Sequence, residues 1–315
     1  MSQTNALLRA PQSTRAGPCG PSVRRLAREL GVDLAQVVGS GAQGRLQHAD
    51  VMAHIKRTLQ RGTPPAAPAP GGLDLLPWPK VAFEEFGPVE RRPRSRIQKA
   101  SAANLHRNRV MIPHVTNFDE ADITELEVFR QRANAEAGQD GAKLTLLAFL
   151  IKAVVHALQA YPTFNCSLDG DEIVEKGYWH IGFAADTQNG LVVPVIRDAE
   201  RKSLREIAAE SAHLAHLARD GKLKLEQMQG GCFTVSSLGG IGGTGFTPII
   251  NAPEVAILGV TRACRKPCWD GRQFVPRLNL PLCLSWDHRA LDGAAAARFL
   301  VHLSRLLADF RRVIL

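Results

Sequence analysis

One histidine in this 315-residue chain stands where a strand-like run stops. Leu284-Ser-Trp-Asp-His-Arg-Ala-Leu-Asp-Gly293 sets His288 at the end of an apolar segment, and Asp292-Gly293 gives way to a small-residue helix from Ala294 to Phe310. A strand end, a turn and a helix start make a common mount for a base, and imidazole takes and returns protons near neutrality. The residues alone leave a second reading open, a buried structural histidine. Asp292 has two roles available, helix cap or orienting carboxylate, and they are compatible. A second cluster, Phe233-Thr-Val-Ser-Ser-Leu-Gly239, reads as a strand whose two serines face opposite sides. No Gly-x-Ser-x-Gly surrounds Ser236, which argues against a serine nucleophile. Gly239-Gly-Ile-Gly-Gly-Thr-Gly245 is either a channel-lining loop or simply a mobile one.

The elements that must position these residues alternate along the chain from about Ser95. Ser95 to Arg109 reads as a helix and Pro113 to Ala121 as a strand. Thr124-x-x-Glu127 and Ser203-x-x-Glu206 are capping-box patterns that open helices, the second ending at Gly221. Thr145 to Ala160 is apolar nearly all round and therefore a buried helix. His180 to Asp186 and Leu191 to Ile196 flank an Asn189-Gly190 hairpin tip. Cys232 to Ser237, Val255 to Val260 and Pro281 to Trp286 read as strands. The mixed order predicts an α/β (α+β) architecture, a sheet covered by helices.

Before this region lies a miniature helical unit at 18–59. Ser22 is placed to cap a helix carrying Val23, Leu26 and Leu30, with Gly31 as its stop. Gly39 to Gly44 forms a tight loop. A second helix from about His48 buries Val51, Ile55 and Leu59. Residues 1–17 read as a disordered tail. Residues 60–90 read as an Ala/Pro-rich linker and arm, with Thr63 to Gly72 semi-extended and able to let the unit swing while tethered.

Composition narrows the class. Apolar residues make up 45% of the chain, enough for a real core. No run reaches the roughly 18 apolar residues a membrane span requires. Leu144 to Leu158 is interrupted by Lys152 and His156. The N-terminus lacks the basic start and apolar stretch of a secretory signal, so a cytoplasmic location is expected. The six cysteines are scattered and read as reduced, mostly buried thiols. Neither Cys264/Cys268 nor His213/His216 acquires the further ligands of a metal site, so no metal is expected. The net charge of +9 is uneven: +6 over 1–63, −3 over 64–90, +7 over 91–112 and −1 over the remainder. That points to an acidic partner near the N-terminal region. No aromatic residues interleave the basic clusters, which disfavours nucleic acid.

The pattern Asp-His-Arg-x-x-Asp-Gly resembles the active-site signature of the dihydrolipoamide acyltransferases, core enzymes of the 2-oxo acid dehydrogenase complexes. It is also similar to the His-x-x-x-Asp-Gly element of chloramphenicol acetyltransferases. Ile112-Pro-His-Val-Thr, Asn189-Gly-Leu-Val-Val-Pro-Val, Gly230-Gly-Cys-Phe-Thr-Val-Ser-Ser-Leu-Gly and Asn251-Ala-Pro-Glu-Val-Ala-Ile-Leu-Gly-Val extend the likeness to the acyltransferase catalytic domain, here 91–315. Pro21 to Leu34 and Gly39 to Val51 resemble the peripheral subunit-binding domain of the same family.

The resemblance implies a chloramphenicol-acetyltransferase-like trimer within a larger core. It also implies acetyl transfer between a dihydrolipoyl carrier and coenzyme A, with acetyl favoured over other acyl groups. His288 would be the base, Ser236 the oxyanion donor, and Asp292 a member of the site. The site would lie between subunits, with coenzyme A as a substrate. Arg24, Arg25 and Arg45 match the basic positions that grip dihydrolipoamide dehydrogenase or the 2-oxo acid decarboxylase. No Asp-Lys-Ala lipoyl turn precedes residue 18, so the lipoyl group is expected in trans, from another chain's lipoyl domain. The alternatives are a non-catalytic scaffold for the peripheral enzymes, an acyltransferase of another 2-oxo acid complex, or one serving a small free acceptor.

Overall fold

The computed structural model describes residues 18–60, 77–138 and 143–313. The expected tail at 1–17, the Thr63 to Gly72 linker and the burial of Leu59 lie outside the described residues. The chain divides into two compact units, 1–89 and 90–315.

In the first unit, α1 (Pro21–Glu29) and α2 (His48–Gln60) enclose a small core of Val23, Val37, Leu46 and Val51. Helix α1 does not use Ser22 as its cap. Gly20 takes that position without a side-chain bond, and Pro21 starts the helix because its ring presets φ and its missing N–H would have no partner there. Leu30, expected in the apolar stripe, is exposed, and Gly31 ends the helix at φ +64. The glycine loop is tight for a steric reason: a Cβ on Gly39 would lie 2.3 Å from the Gly44 carbonyl oxygen. Asp50, buried at the start of α2, accepts from the backbone N–H groups of Ser40 and Gln47 at 3.0 and 2.8 Å and so ties the loop to the helix. Residues 77–89 are exposed, with one short turn at Phe83–Glu85.

The second unit is a mixed sheet with helices on one face. Its strands are β1 (His114–Asp122), β4 (Ile181–Phe183), β5 (Val195–Ile196), β6 (Phe233–Ser237), β7 (Ala256–Val260), β8 (Cys264–Trp269) and β9 (Phe274–Asp287). They run in the order β1-β9-β7-β6-β4-β5, with β8 paired to β9. Strand β6 is parallel to β4 and β7; the other pairs are antiparallel. A separate hairpin joins β2 (Cys166–Asp169) to β3 (Glu172–Glu175).

Alternation along the strands decides what faces the helices. Leu282, Leu284 and Trp286 of β9, Leu258 and Val260 of β7, and Phe233 and Val235 of β6 join one core. Beneath that face lie α4 (Thr124–Glu136), α5 (Leu146–Ala160), α6 (Leu204–Arg219) and α7 (Gly293–Ala308), all contributing to the core. Helix α5 is buried as expected; its Lys152 Nζ donates to the carbonyls of Ala199, Glu200 and Lys202 at 3.2, 2.9 and 2.6 Å. On the opposite face, Phe246 lies on Gly259, and Ile250 packs with Ile112 and Ile257. Helix α3 (Arg96–Met111) buries only Asn108, whose amide donates to the Ile250 carbonyl at 2.9 Å.

Ser203 and Glu206 form the expected capping box, and the Asn-Gly hairpin closes between β4 and β5. The Thr124–Glu127 box does not form. Glu127 instead takes Arg130 in a bidentate pair at 2.7 and 2.8 Å, and Asp122 Oδ1 accepts from both the N–H and the hydroxyl of Thr124. A carboxylate–guanidinium fork outweighs one backbone bond. Of the six cysteines, Cys166, Cys232 and Cys283 are buried, Cys19 and Cys268 are half-buried and Cys264 is exposed, so only half of the thiols are buried where most were expected. Among the described residues no helix is long and apolar enough to cross a membrane, and none of their His, Cys, Asp and Glu groups could hold a metal ion.

Candidate active site

His288 emerges just beyond β9. Its backbone N–H donates to the Pro113 carbonyl at 3.2 Å, and the ring leans on Trp286 with centroids 4.8 Å apart. The side chain is exposed, and among the described residues neither ring nitrogen is engaged. His114 is the contrast. Its Nε2 accepts from the Ile250 N–H at 3.0 Å, so its Nδ1 donates to the Ile112 carbonyl at 2.8 Å, and burial lowers its pKa. His114 is a fixed neutral brace; the His288 ring has no hydrogen-bond partner among the described residues.

The turn around His288 is held by its neighbours. Asp287, 2% exposed, forks onto Arg289 at 2.7 to 3.2 Å and accepts the Arg289 N–H at 2.9 Å. That pairing raises the Arg289 pKa and occupies both side chains structurally. Asp292 is the N-cap of α7, accepting from the Ala295 N–H at 2.8 Å. It is exposed and makes no ion pair among the described residues.

Ser236 lies on the sheet face opposite the helices, half-buried, with no hydrogen bond from its hydroxyl among the described residues. Ser237 turns the other way and is exposed. Ser236 pairs with Gly259, and Gly259 with Cys283. Ser236 is thus two strand spacings from Cys283, about 10 Å, and His288 is five residues further along β9, about 16 Å at 3.3 Å per residue. The two backbones are about 19 Å apart, beyond the reach of both side chains. One chain therefore supplies a hydroxyl and an imidazole but does not bring them together.

The loop before Phe246 crosses this face. A Cβ on Gly245 would lie 3.5 Å from the Phe118 ring and 3.7 Å from Cys283 Sγ, so the glycine lets the loop lie close. In the first unit, Arg24, Arg25 and Arg45 are all exposed. Arg25 pairs with Glu29 at 2.9 Å, and Arg24 Nε donates to Cys19 Sγ at 3.3 Å. Two residues escaped sequence reasoning. Trp286 backs the His288 ring, and Glu254 is buried beside β6; a lone acid in Pro253-Glu-Val-Ala-Ile-Leu258 was the available signal.

Comparison with known proteins matches 86–315 to the 2-oxoacid dehydrogenases acyltransferase (catalytic domain) and 18–52 to the e3 binding domain. The pyruvate dehydrogenase complex acetyltransferase component of Cupriavidus necator is 61% identical over 96% of this chain and 56% of its own length. That of Pseudomonas aeruginosa is 54% identical over 94% and 54%. The chain thus spans about half the length of these relatives. A solved dihydrolipoamide acetyltransferase of Azotobacter vinelandii superposes with a TM-score of 0.75 at 54% identity, covering 76% of this chain and all of that one. It was studied for the catalytic role of a serine, a histidine and an asparagine, whose spacing is that of Ser236, His288 and Asp292 here. The expected fold class is borne out: the chain belongs to the 2-oxo acid dehydrogenase acyltransferase family, with an α/β catalytic domain preceded by a small helical binding domain.

Proposed function

We propose that the chain moves an acetyl group between a dihydrolipoyl carrier and coenzyme A, as the core of a pyruvate dehydrogenase-type complex. The observation that carries this is the disengaged imidazole of His288 at the end of β9, in a chain 61% identical to a named acetyltransferase component. His288 takes the proton of the incoming thiol, because the thiolate is the nucleophile. The sulfur attacks the thioester carbonyl, and the oxygen gains negative charge. The Ser236 hydroxyl donates a hydrogen bond to that oxygen. When the intermediate collapses, the departing thiolate recovers the proton from His288. Asp292 fixes the start of α7 beside the turn that aims the base.

The separation of Ser236 from His288 supports a site completed by a neighbouring copy, hence a homotrimer within a larger core. Residues 18–59 bind dihydrolipoamide dehydrogenase or the decarboxylase, with Arg24, Arg25 and Arg45 presenting positive charge to an acidic surface. The lipoyl group reaches the site as the substrate of a carrier domain, and the complex works in the cytoplasm.

The test is acetyl transfer from acetyl-coenzyme A to free dihydrolipoamide, with His288→Ala beside the wild type. A drop of about 10²-fold or more supports the base assignment. Absence of turnover in a folded wild-type oligomer refutes the enzyme reading and leaves a scaffold.

A further inference from the structure

Glu254 is a carboxylic acid for which the chemistry above has no use. It is 3% exposed, just before β7. Its Oε1 accepts from Thr234 Oγ1 at 2.9 Å and from Asn251 Nδ2 at 3.2 Å, while its Oε2 is buried without a partner among the described residues. Both donors converge on one oxygen, so an anion there would be poorly compensated, which costs far more than a neutral acid. Burial accordingly lifts the group to about 7, against smaller opposing effects of Thr234, Asn251 and Lys176.

The titratable groups around it are few. Lys176, after β3, donates to the Cys166 carbonyl at 2.9 Å, and the Cys232 thiol precedes β6. Across a cavity of about 210 Å³ that Glu254 helps to line are Arg107, Asp287 and Arg289, the last two paired with each other.

What Glu254 joins gives it meaning. Thr234 lies two residues before Ser236 on the same face of β6. Val255, the next residue, accepts the N–H of Asp287 at 2.9 Å, and Asp287 directly precedes His288. A Cβ at Gly231 would lie 2.9 Å from Glu254 Oε1, so glycine there lets the carboxyl close on the strand. One side chain is thus fastened to the strand that carries Ser236 and, through one peptide, to the strand end that carries His288.

We infer that Glu254 is a positioning residue for acyl transfer: its neutral carboxyl keeps the Ser236 strand and the His288 turn packed in register, and its ionisation, which leaves a buried charge on the unpartnered Oε2, draws water in and loosens both. The inference rests on the proposed acetyl transfer. Its test is kcat and KM from pH 6 to 9 for the assembled wild type and Glu254→Gln, with His288→Ala as baseline. Glutamine mimics the neutral acid, so the variant should match the wild type within about twofold at pH 6 and exceed its kcat about threefold or more at pH 8.5, with KM unchanged. A ratio level across the pH range overturns the inference, as does a folded glutamine variant inactive at every pH. A wild type without transfer fails the acyl-transfer reading instead. The proton is then read from thermal unfolding: the variant should gain on the wild type between pH 5 and 8, and a constant difference overturns the inference.

Discussion

At the scale of single residues, two side chains carry separable consequences. Ser236→Ala should lower kcat by about 10²–10³-fold, the loss seen when one oxyanion donor is removed, while leaving KM for coenzyme A nearly unchanged. An unchanged kcat would remove Ser236 from the site. Asp292→Ala should cost about 1 kcal/mol of stability through loss of the α7 cap, and Asp292→Asn should restore it, since asparagine caps as well. A transfer rate that falls with asparagine while stability holds would add a charge role to the cap. The residue types and their spacing were legible without coordinates because strand-end and cap positions are local properties. The burial of Glu254 was not, because it depends on Thr234, twenty positions away in sequence.

At the scale of elements, local rules held where nothing competed. Ser203 and Glu206 box the start of α6, but Glu127 prefers Arg130. Strand β9 is longer than its apolar run, and its hairpin with β8 was invisible because Pro267 opposes Pro276, removing the usual β signal from both strands. Where β7 passes under Phe246, a Cβ on Gly259 would lie 2.7 Å from the ring. Gly259→Ala should therefore destabilise by about 1–3 kcal/mol, and less in a Phe246→Ala background. Additive losses would contradict the contact. Helices α5 and α7 meet through stacked His156 and His302, ring centroids 5.6 Å apart, each with a buried nitrogen lacking a partner among the described residues. Burial lowers the His302 pKa, and His156 and Arg305 lower it further. The folded chain thus binds fewer protons here than the unfolded chain just below the ordinary value of 6.5, so stability is lost as pH falls through that window. His302→Phe should lose less than the wild type in melting temperature between pH 7 and pH 5. An equal loss would place the acid sensitivity elsewhere.

At the scale of the molecule, the separation of Ser236 and His288 is the feature that no sequence pattern displays. It follows from strand order, and pairing β6 to β7 to β9 was not readable from alternation. If neighbouring copies complete each site, Ser236→Ala and His288→Ala chains, each inactive, should recover about a quarter of wild-type activity when unfolded together at equal ratio and reassembled at random. No recovery would return both residues to one chain. If acetyl transfer proceeds as proposed, the same separation would leave a newly made chain chemically silent. It would hold a base without an oxyanion donor beside it and a donor without a base, and should not turn over acetyl thioesters while alone. Catalysis would then switch on only with assembly, guarding the energy of the thioester bond until the carriers that should receive the acetyl group can be held nearby.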